Sequence, residues 1–312
     1  MTEKQKGLST EPYKGVRDFY PEDMAEQNYI FSVWRKVAEE HGYQEYSASI
    51  LEPAELYRSK GSDEIVSEQM YVFKDKGDRE VALRPEMTPT LARMIAGRRK
   101  SLKFPLRWYS IPNVFRYERP QRGRRREHWQ LNCDLMGIVG IEAEVEIILL
   151  AHEVMKAFGA KDEDFEIRVN SRVLLKEIFG KKELIQLLDR KDKMETVEFE
   201  KKWEELSGEK PNLDVQQTNE IKTLIKTLAE GGISNTVFSP TLTRGFDYYT
   251  GIVFEVFDTN PENRRSLFGG GRYDNLLEMF GAEAVPTVGF GMGDVTMRDF
   301  LETHKLPLSQ PS

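Results

Sequence analysis

From His128 to Met136 the chain reads His-Trp-Gln-Leu-Asn-Cys-Asp-Leu-Met, alternating polar and apolar residues up to Leu135. Successive side chains of an extended strand point to opposite faces. The segment therefore predicts a strand with His128, Gln130, Asn132 and Asp134 on one face and Trp129, Leu131, Cys133 and Leu135 on the other. A strand that merely faces water would alternate too, but it has no need of two amides and a carboxylate beside an arginine-rich turn. The polar face reads as the floor of a pocket.

The neighbouring sequence predicts the sheet this strand needs. Segments 69–74, 80–84 and 106–116 are short, rich in β-formers and separated by turn residues, which favours antiparallel pairing over βαβ units. Pro21 opens a helix with Ile30, Trp34, Val37 and His41 at helical spacing, ended by Gly42. Positions 143, 147, 150, 154 and 158 mark a second helix lying on the sheet. From Ser171 to Gly232 the chain is dense in Lys and Glu with helical repeats, and strand-like sequence returns at 235–238 and 251–257. The expected fold class is α+β, with a core of 1–170 and 233–312 interrupted by a helical insertion at 171–232. The glycines at 269–271 and 289–293 are expected at tight turns or close approaches to a ligand, and 306–312 as a frayed end.

Composition limits the partners. With 45 basic and 52 acidic side chains the net charge is −7, so any contact with nucleic acid needs a local basic patch. A single cysteine, Cys133, excludes an internal disulfide and a Cys-x-x-Cys pair and suits a reducing cytoplasm. No apolar stretch reads as a secretion signal or a membrane span.

Four segments carry chemistry. Between 116 and 126 lie six arginines and one glutamate, with Pro120 and Gly123 among them, suggesting a mobile basic hairpin for an anionic ligand or else a solvated turn. In Leu83-Arg-Pro-Glu-Met-Thr-Pro-Thr90, Pro85 ends a strand, Thr88 can cap the next helix and Pro89 can take its first position. Glu86 is left at the mouth, where it serves either a ligand or the helix dipole. In Thr241-Leu-Thr-Arg-Gly-Phe-Asp-Tyr-Tyr-Thr-Gly251, two tyrosines, an arginine and an aspartate are costly to bury without partners, as in a binding loop. Gly269-Gly-Gly-Arg-Tyr-Asp274 permits close approach to a ligand but lacks the ending of a phosphate loop.

Together these segments resemble the catalytic domain of histidyl-tRNA synthetase, a class II aminoacyl-tRNA synthetase, from Lys14-Gly-Val-Arg-Asp-Phe-Tyr-Pro21 to the glycines near 293. Arg244-Gly-Phe-Asp-Tyr-Tyr249 is similar to that family's histidine signature, and Phe115-Arg-Tyr-Glu-Arg-Pro120 to class II motif 2. The resemblance implies an antiparallel sheet flanked by helices and a homodimer. It also implies a two-step reaction of L-histidine, ATP with Mg2+, and tRNA(His). By the same resemblance Glu86, Thr88 and Gln130 hold the substrate ammonium, Asp134 and Tyr249 bind the imidazole, and Tyr248 shapes the pocket. Arg116 contacts the α-phosphate, Glu118 the adenine and Arg124 the outer phosphates, His128 stacks near the adenine, and Arg244 stabilises charge at the reacting phosphate.

Three positions depart from the pattern. Ser49 stands where motif 1 usually has proline, Pro53 following four residues later. Thr296 replaces the arginine of motif 3, and Arg298 is expected to point away from it. The chain stops at Ser312, where the family continues into an anticodon-binding domain. The competing expectation is the non-catalytic regulatory subunit of ATP phosphoribosyltransferase, favoured by the length and by Thr296. The intact Arg244–Tyr249 segment and the complete arginine hairpin favour the enzyme. A general nucleic-acid-binding protein fits poorly with one short basic cluster on an acidic chain.

Overall fold

The computed structural model describes residues 8–59, 65–191, 194–245, 247–263 and 266–309. The first half contains α1 (Pro21–Glu40), β1 (Gln44–Glu45), β2 (Leu51–Pro53), α2 (Ala54–Arg58), β3 (Tyr71–Lys74), β4 (Glu80–Leu83) and α3 (Thr88–Arg98). Then come β5 (Leu106–Ser110), β6 (Asn113–Phe115), β7 (Glu127–Met136), α4 (Glu142–Ala157) and β8 (Phe165–Ser171). Four helices follow: α5 (Arg172–Phe179), α6 (Lys182–Asp189), α7 (Thr196–Ser207) and α8 (Asn219–Glu230). The chain returns through β9 (Thr236–Phe238), β10 (Ile252–Asp258), β11 (Ser266–Arg272), β12 (Thr287–Gly293) and α9 (Asp294–Thr303).

The α+β expectation is met by a nine-stranded sheet in the order β1-β5-β7-β12-β11-β10-β8-β9, with β6 paired to β7. Among the described residues only the edge pairs β1–β5 and β8–β9 are parallel. A separate three-stranded sheet, β2-β4-β3, leads into the loop before α3.

The alternation along β7 sorts the two faces. Leu131, Cys133 and Leu135 point into the main apolar core, beneath Ile30, Trp34 and Val37 of α1 and Ile147, Leu150 and Val154 of α4. Removing a side chain as large as Trp34 from this layer would cost about 3–5 kcal/mol. The opposite face carries Gln130, Asn132 and Asp134 and is covered by α3 and the Tyr248–Tyr249 loop. A buried ion pair joins β11 to α4: both nitrogens of the Arg272 fork, Nε and Nη2, reach Glu144 at 2.6 Å.

The helices after Ser171 divide between two cores. Helices α5 to α7 gather Leu175, Phe179, Ile185, Phe199 and Trp203 into an apolar cluster of their own, whereas Ile221, Leu224 and Leu228 of α8 enter the main core. At the other end, Leu306 and Leu308 pack on the main core and the Leu306 amide bonds the Leu301 carbonyl at 2.8 Å. The described part of the tail is therefore docked rather than frayed, because two leucines there find apolar partners. Residues 310–312 lie outside the described residues.

Candidate functional site

A small polar pocket lies on the α3-facing side of the large sheet. Strand β7 supplies Gln130, Asn132 and Asp134; the β4–α3 junction supplies Glu86 and Thr88; the loop before β10 supplies Tyr248 and Tyr249. Arg84 fixes the junction, its guanidinium bonding the Asn113 carbonyl at 2.7 Å and the Ala48 carbonyl at 2.9 Å. The central strands contribute backbone only. Gly289 stands opposite Asp134 in the β12–β7 register, and a Cβ there would come within 2.3 Å of Asp134 Oδ1. A Cβ on Gly291 would come within 2.6 Å of Gln130 Nε2.

The pocket's two acids are buried and held differently. Burial pushes the Glu86 carboxyl up to about 7, with Arg116 and a hydrogen bond from Tyr248 pulling the other way. Its Oε2 accepts from the Tyr248 hydroxyl at 3.2 Å, while Oε1 is buried with no hydrogen-bond partner. An acceptor in that state favours an incoming donor such as an ammonium group. Asp134 is likewise pushed up to about 7 by burial, and the Tyr273 hydroxyl donates to its Oδ1. The rings of Tyr248, Tyr249 and Tyr273 pack with centroids 5.0 to 6.3 Å apart, closing the pocket's side.

The pocket opens into a larger cleft lined by Arg116, Glu118, Arg124, His128, Gln130 and Arg244, and by residues of α5 and α6. Arg116, Gln130, Arg244, Gly269 and Gly291 line both spaces, so two guanidinium groups mark the passage between them. Arg116 is steadied by its Nε donating to the Pro85 carbonyl at 2.9 Å. Arg244 is ion-paired with Glu255. Burial works against its charge, and Tyr249 and Glu255 outweigh that, holding the guanidinium above its ordinary pKa. Its backbone lies in the left-handed region at φ 59°, an uncommon conformation for a residue with a Cβ. A Cβ on Gly269 would fall 3.0 Å from Arg244 Nη1 and 2.4 Å from the Phe254 carbonyl, so glycine leaves room for the pair. Arg124 Nε lies 3.6 Å from Glu118 Oε2. Burial first, then Arg116 and Arg17, lower the pKa of His128 to about 3, so its ring is neutral at physiological pH.

The structure thus brings Glu86, Thr88, Gln130, Asp134, Tyr248, Tyr249, Arg116 and Arg244 to one pocket, with Glu118, Arg124 and His128 in the adjoining cleft. Phe246 of the same loop lies outside the described residues. Four details differ from the sequence reading. Thr88 is the first helical residue and Met87 the N-cap, with no side-chain cap bond, so Thr88 faces the pocket instead. Of the two expectations for the glycines at 269–271 and 289–293, tight turns give way to close approach: they lie within β11 and β12, and Gly269, Gly289 and Gly291 line the pocket. The arginine run does not act as one patch: Arg126 stacks 3.9 Å over Tyr117, Arg122 reaches Asp299, and Arg116, Arg124 and Arg125 line the cleft. Tyr273 was not among the expected site residues. Its signal was the Tyr in the Gly-Gly-Gly-Arg-Tyr-Asp segment, whose partner Asp134 is far away in sequence.

A family model described as histidyl-tRNA synthetase matches residues 15–207 and 200–294. The histidine–tRNA ligase of Leptospira biflexa is 45% identical over 334 aligned positions, covering 97% of this chain and 76% of that protein. The chain belongs to the histidyl-tRNA synthetase family. Another histidine–tRNA ligase, from Thermoplasma volcanium, is 38% identical over 95% of this chain and 76% of its own length. Among solved structures, a histidine–tRNA ligase subunit from Alicyclobacillus acidocaldarius aligns with a TM-score of 0.77 at 26% identity, over 96% of this chain and 99% of that one. The fold is also shared, at a TM-score of 0.79 and 24% identity, with a Bacillus halodurans protein described as an ATP phosphoribosyltransferase regulatory subunit/histidyl-tRNA synthetase. That alignment covers 96% of this chain and 84% of the other. Within the histidyl-tRNA synthetase family the motif 3 position is occupied here by Thr296, whose hydroxyl turns inward to the Leu267 carbonyl at 2.7 Å. Arg298 points away to Glu26 and Glu302.

Proposed function

We propose that this chain is the catalytic core of a histidine–tRNA ligase, activating L-histidine with ATP and then passing the histidyl group to tRNA(His). The observation that carries the reading is the shared boundary of the two spaces. An amino acid held between Glu86 and Asp134 would direct its carboxylate toward Arg116 and Arg244, where the α-phosphate of a nucleotide in the cleft would lie. The carboxylate attacks the α-phosphorus, the bond to the pyrophosphate oxygen breaks, and the charge on the phosphate oxygens is met by preorganised guanidinium groups. In the second step the terminal ribose hydroxyl of the tRNA attacks the acyl carbon and AMP leaves.

In this reading Glu86, Thr88 and Gln130 take the ammonium group, and Asp134 and Tyr249 the two ring nitrogens. An apolar analogue would leave those buried groups unpaired, which makes discrimination large. Glu118 and His128 face the adenine, and Arg124 the outer phosphates. Mg2+ enters as the companion of ATP. Among the described residues no group of three or more His, Cys, Asp or Glu forms a metal cage.

A homodimer belongs to the proposal, supported by Leu51 and Phe73, which stay exposed on one face of the three-stranded sheet where a second copy would cover them. So does a cytoplasmic location. No described helix is long and apolar enough to cross a membrane. The regulatory-subunit reading draws on Thr296, which leaves α9 without a cation at the motif 3 position. Histidine-dependent exchange of labelled pyrophosphate into ATP separates the two: the ligase exchanges, and a chain that binds histidine without exchange belongs with the regulatory reading.

A further inference from the structure

Strand β7 changes partners at Trp129. Its pairing with β12 stops at Gln130, opposite Gly293, where β12 ends and α9 begins. On its other edge Trp129 lies opposite Asn113 of β6, and the Gln130 amide bonds the Pro112 carbonyl at 3.0 Å. The amide of Trp129 therefore faces the side on which β12 has run out, and without a substitute it would be orphaned. Asp294 supplies that substitute. Its Oδ1 accepts the Trp129 amide at 2.9 Å, and its Oδ2 accepts from Arg17 at 2.6 Å and from Gln27 at 3.2 Å. With the side chain only 1% exposed, one carboxylate joins the N-terminal segment, α1, α9 and the start of β7.

We propose that Asp294 is a positioning residue for the nucleotide cleft: together with Arg17 and Gln27 it fixes the start of β7 and so the ring of His128, one residue before the bonded amide. The inference rests on reading the cleft as the ATP site. His128 lines that cleft, and its ring carbon lies 3.9 Å from where a Cβ on Gly293, the residue before Asp294, would stand. The amino-acid pocket is held by other means: Asp134 by Tyr273, Glu86 by Tyr248, and Gln130 by the Pro112 carbonyl. Loss of Asp294 should therefore affect the two substrates unequally, which a merely structural role would not.

The test measures ATP and histidine affinities by calorimetry on the full chain carrying Asp294→Ala or Asp294→Asn. Asp294→Ala is expected to weaken ATP roughly tenfold and to leave histidine within about twofold. Asp294→Asn, which keeps an oxygen for the Trp129 amide, should recover most of the loss. If Asp294→Ala does not fold, Arg17→Met is expected to give the same unequal loss. Unchanged ATP affinity in a folded variant, or equal losses for both ligands, overturns the proposal. The wild-type exchange assay judges the ligase reading separately: binding of both ligands without exchange would end that reading, while the affinity ratio still decides the role of Asp294.

Discussion

The Tyr273 hydroxyl reaches Asp134 across β12, donating to Oδ1 over Gly289, a residue with no side chain to obstruct it. The contact spans three neighbouring strands, since Asp134 sits on β7 and Tyr273 follows β11 directly. The acid that faces the substrate ring in the proposed reaction is thus aimed by a partner 139 residues away in sequence.

Gly289→Ala should break this arrangement at its centre. The new Cβ would stand 2.3 Å from Asp134 Oδ1 and 2.9 Å from the Tyr273 oxygen, so one of them has to move. We expect the KM for histidine in pyrophosphate exchange to rise on the order of tenfold, with a stability loss of about 1–3 kcal/mol by chemical denaturation. A variant with an unchanged histidine KM would show that the Tyr273–Asp134 contact does not set recognition.

Glu86 gives the site a pH dependence. Its folded-state value of about 7 is raised, so the fold favours the neutral acid. The stability gained from neutrality is complete below the ordinary carboxylate range and is lost as pH rises through about 7, Asp134 acting in the same sense. Binding an ammonium group requires the ionised form, so histidine affinity should increase from about pH 6 to about pH 8. The substrate's own imidazole titrates nearby, so the informative comparison is with Glu86→Gln. That variant should bind histidine more weakly by on the order of 2 kcal/mol and show a flatter profile in a calorimetric pH series.

Arg244 allows function and stability to be separated. Its left-handed backbone costs about 1–2 kcal/mol in a residue with a Cβ, and glycine would remove that cost. Arg244→Gly and Arg244→Ala should each lower exchange by about 10²–10³-fold. Both leave Glu255 without its ion pair, yet the glycine variant should melt at the higher temperature. The opposite order in thermal denaturation would show that the loop is not strained at this position.

Much of this was legible in the sequence, and the failures have identifiable causes. The alternation along β7 separated core from pocket correctly because a half-buried strand has a period of two that nothing nearby disguises. The paired tyrosines and Glu86 stood out because buried polar tips need partners. For the glycines of β11 and β12 the sequence leaves tight turns and close approach to a ligand open, because glycine marks both turns and crowded strand positions, and only the neighbouring strands reveal which. Thr88 had the chemistry of a cap and a position one residue too far along, which an uncertainty of one residue at a helix end is enough to cause. The arginine run exaggerated its own unity: an exposed hairpin presents successive side chains in different directions, and three of the six line the cleft. Tyr273 and Asp294 act through partners distant in sequence, which no local pattern encodes.

Because Gly269, Gly289 and Gly291 offer only peptide planes to whatever rests on them, the middle of this sheet has no vocabulary with which to alter a ligand preference. In the proposed reading, any drift toward a different amino acid has to be written at the margins, on the even-numbered side of β7 and in the segments around residues 86 and 249. The scaffold can therefore remain constant while its selectivity is edited at a handful of codons.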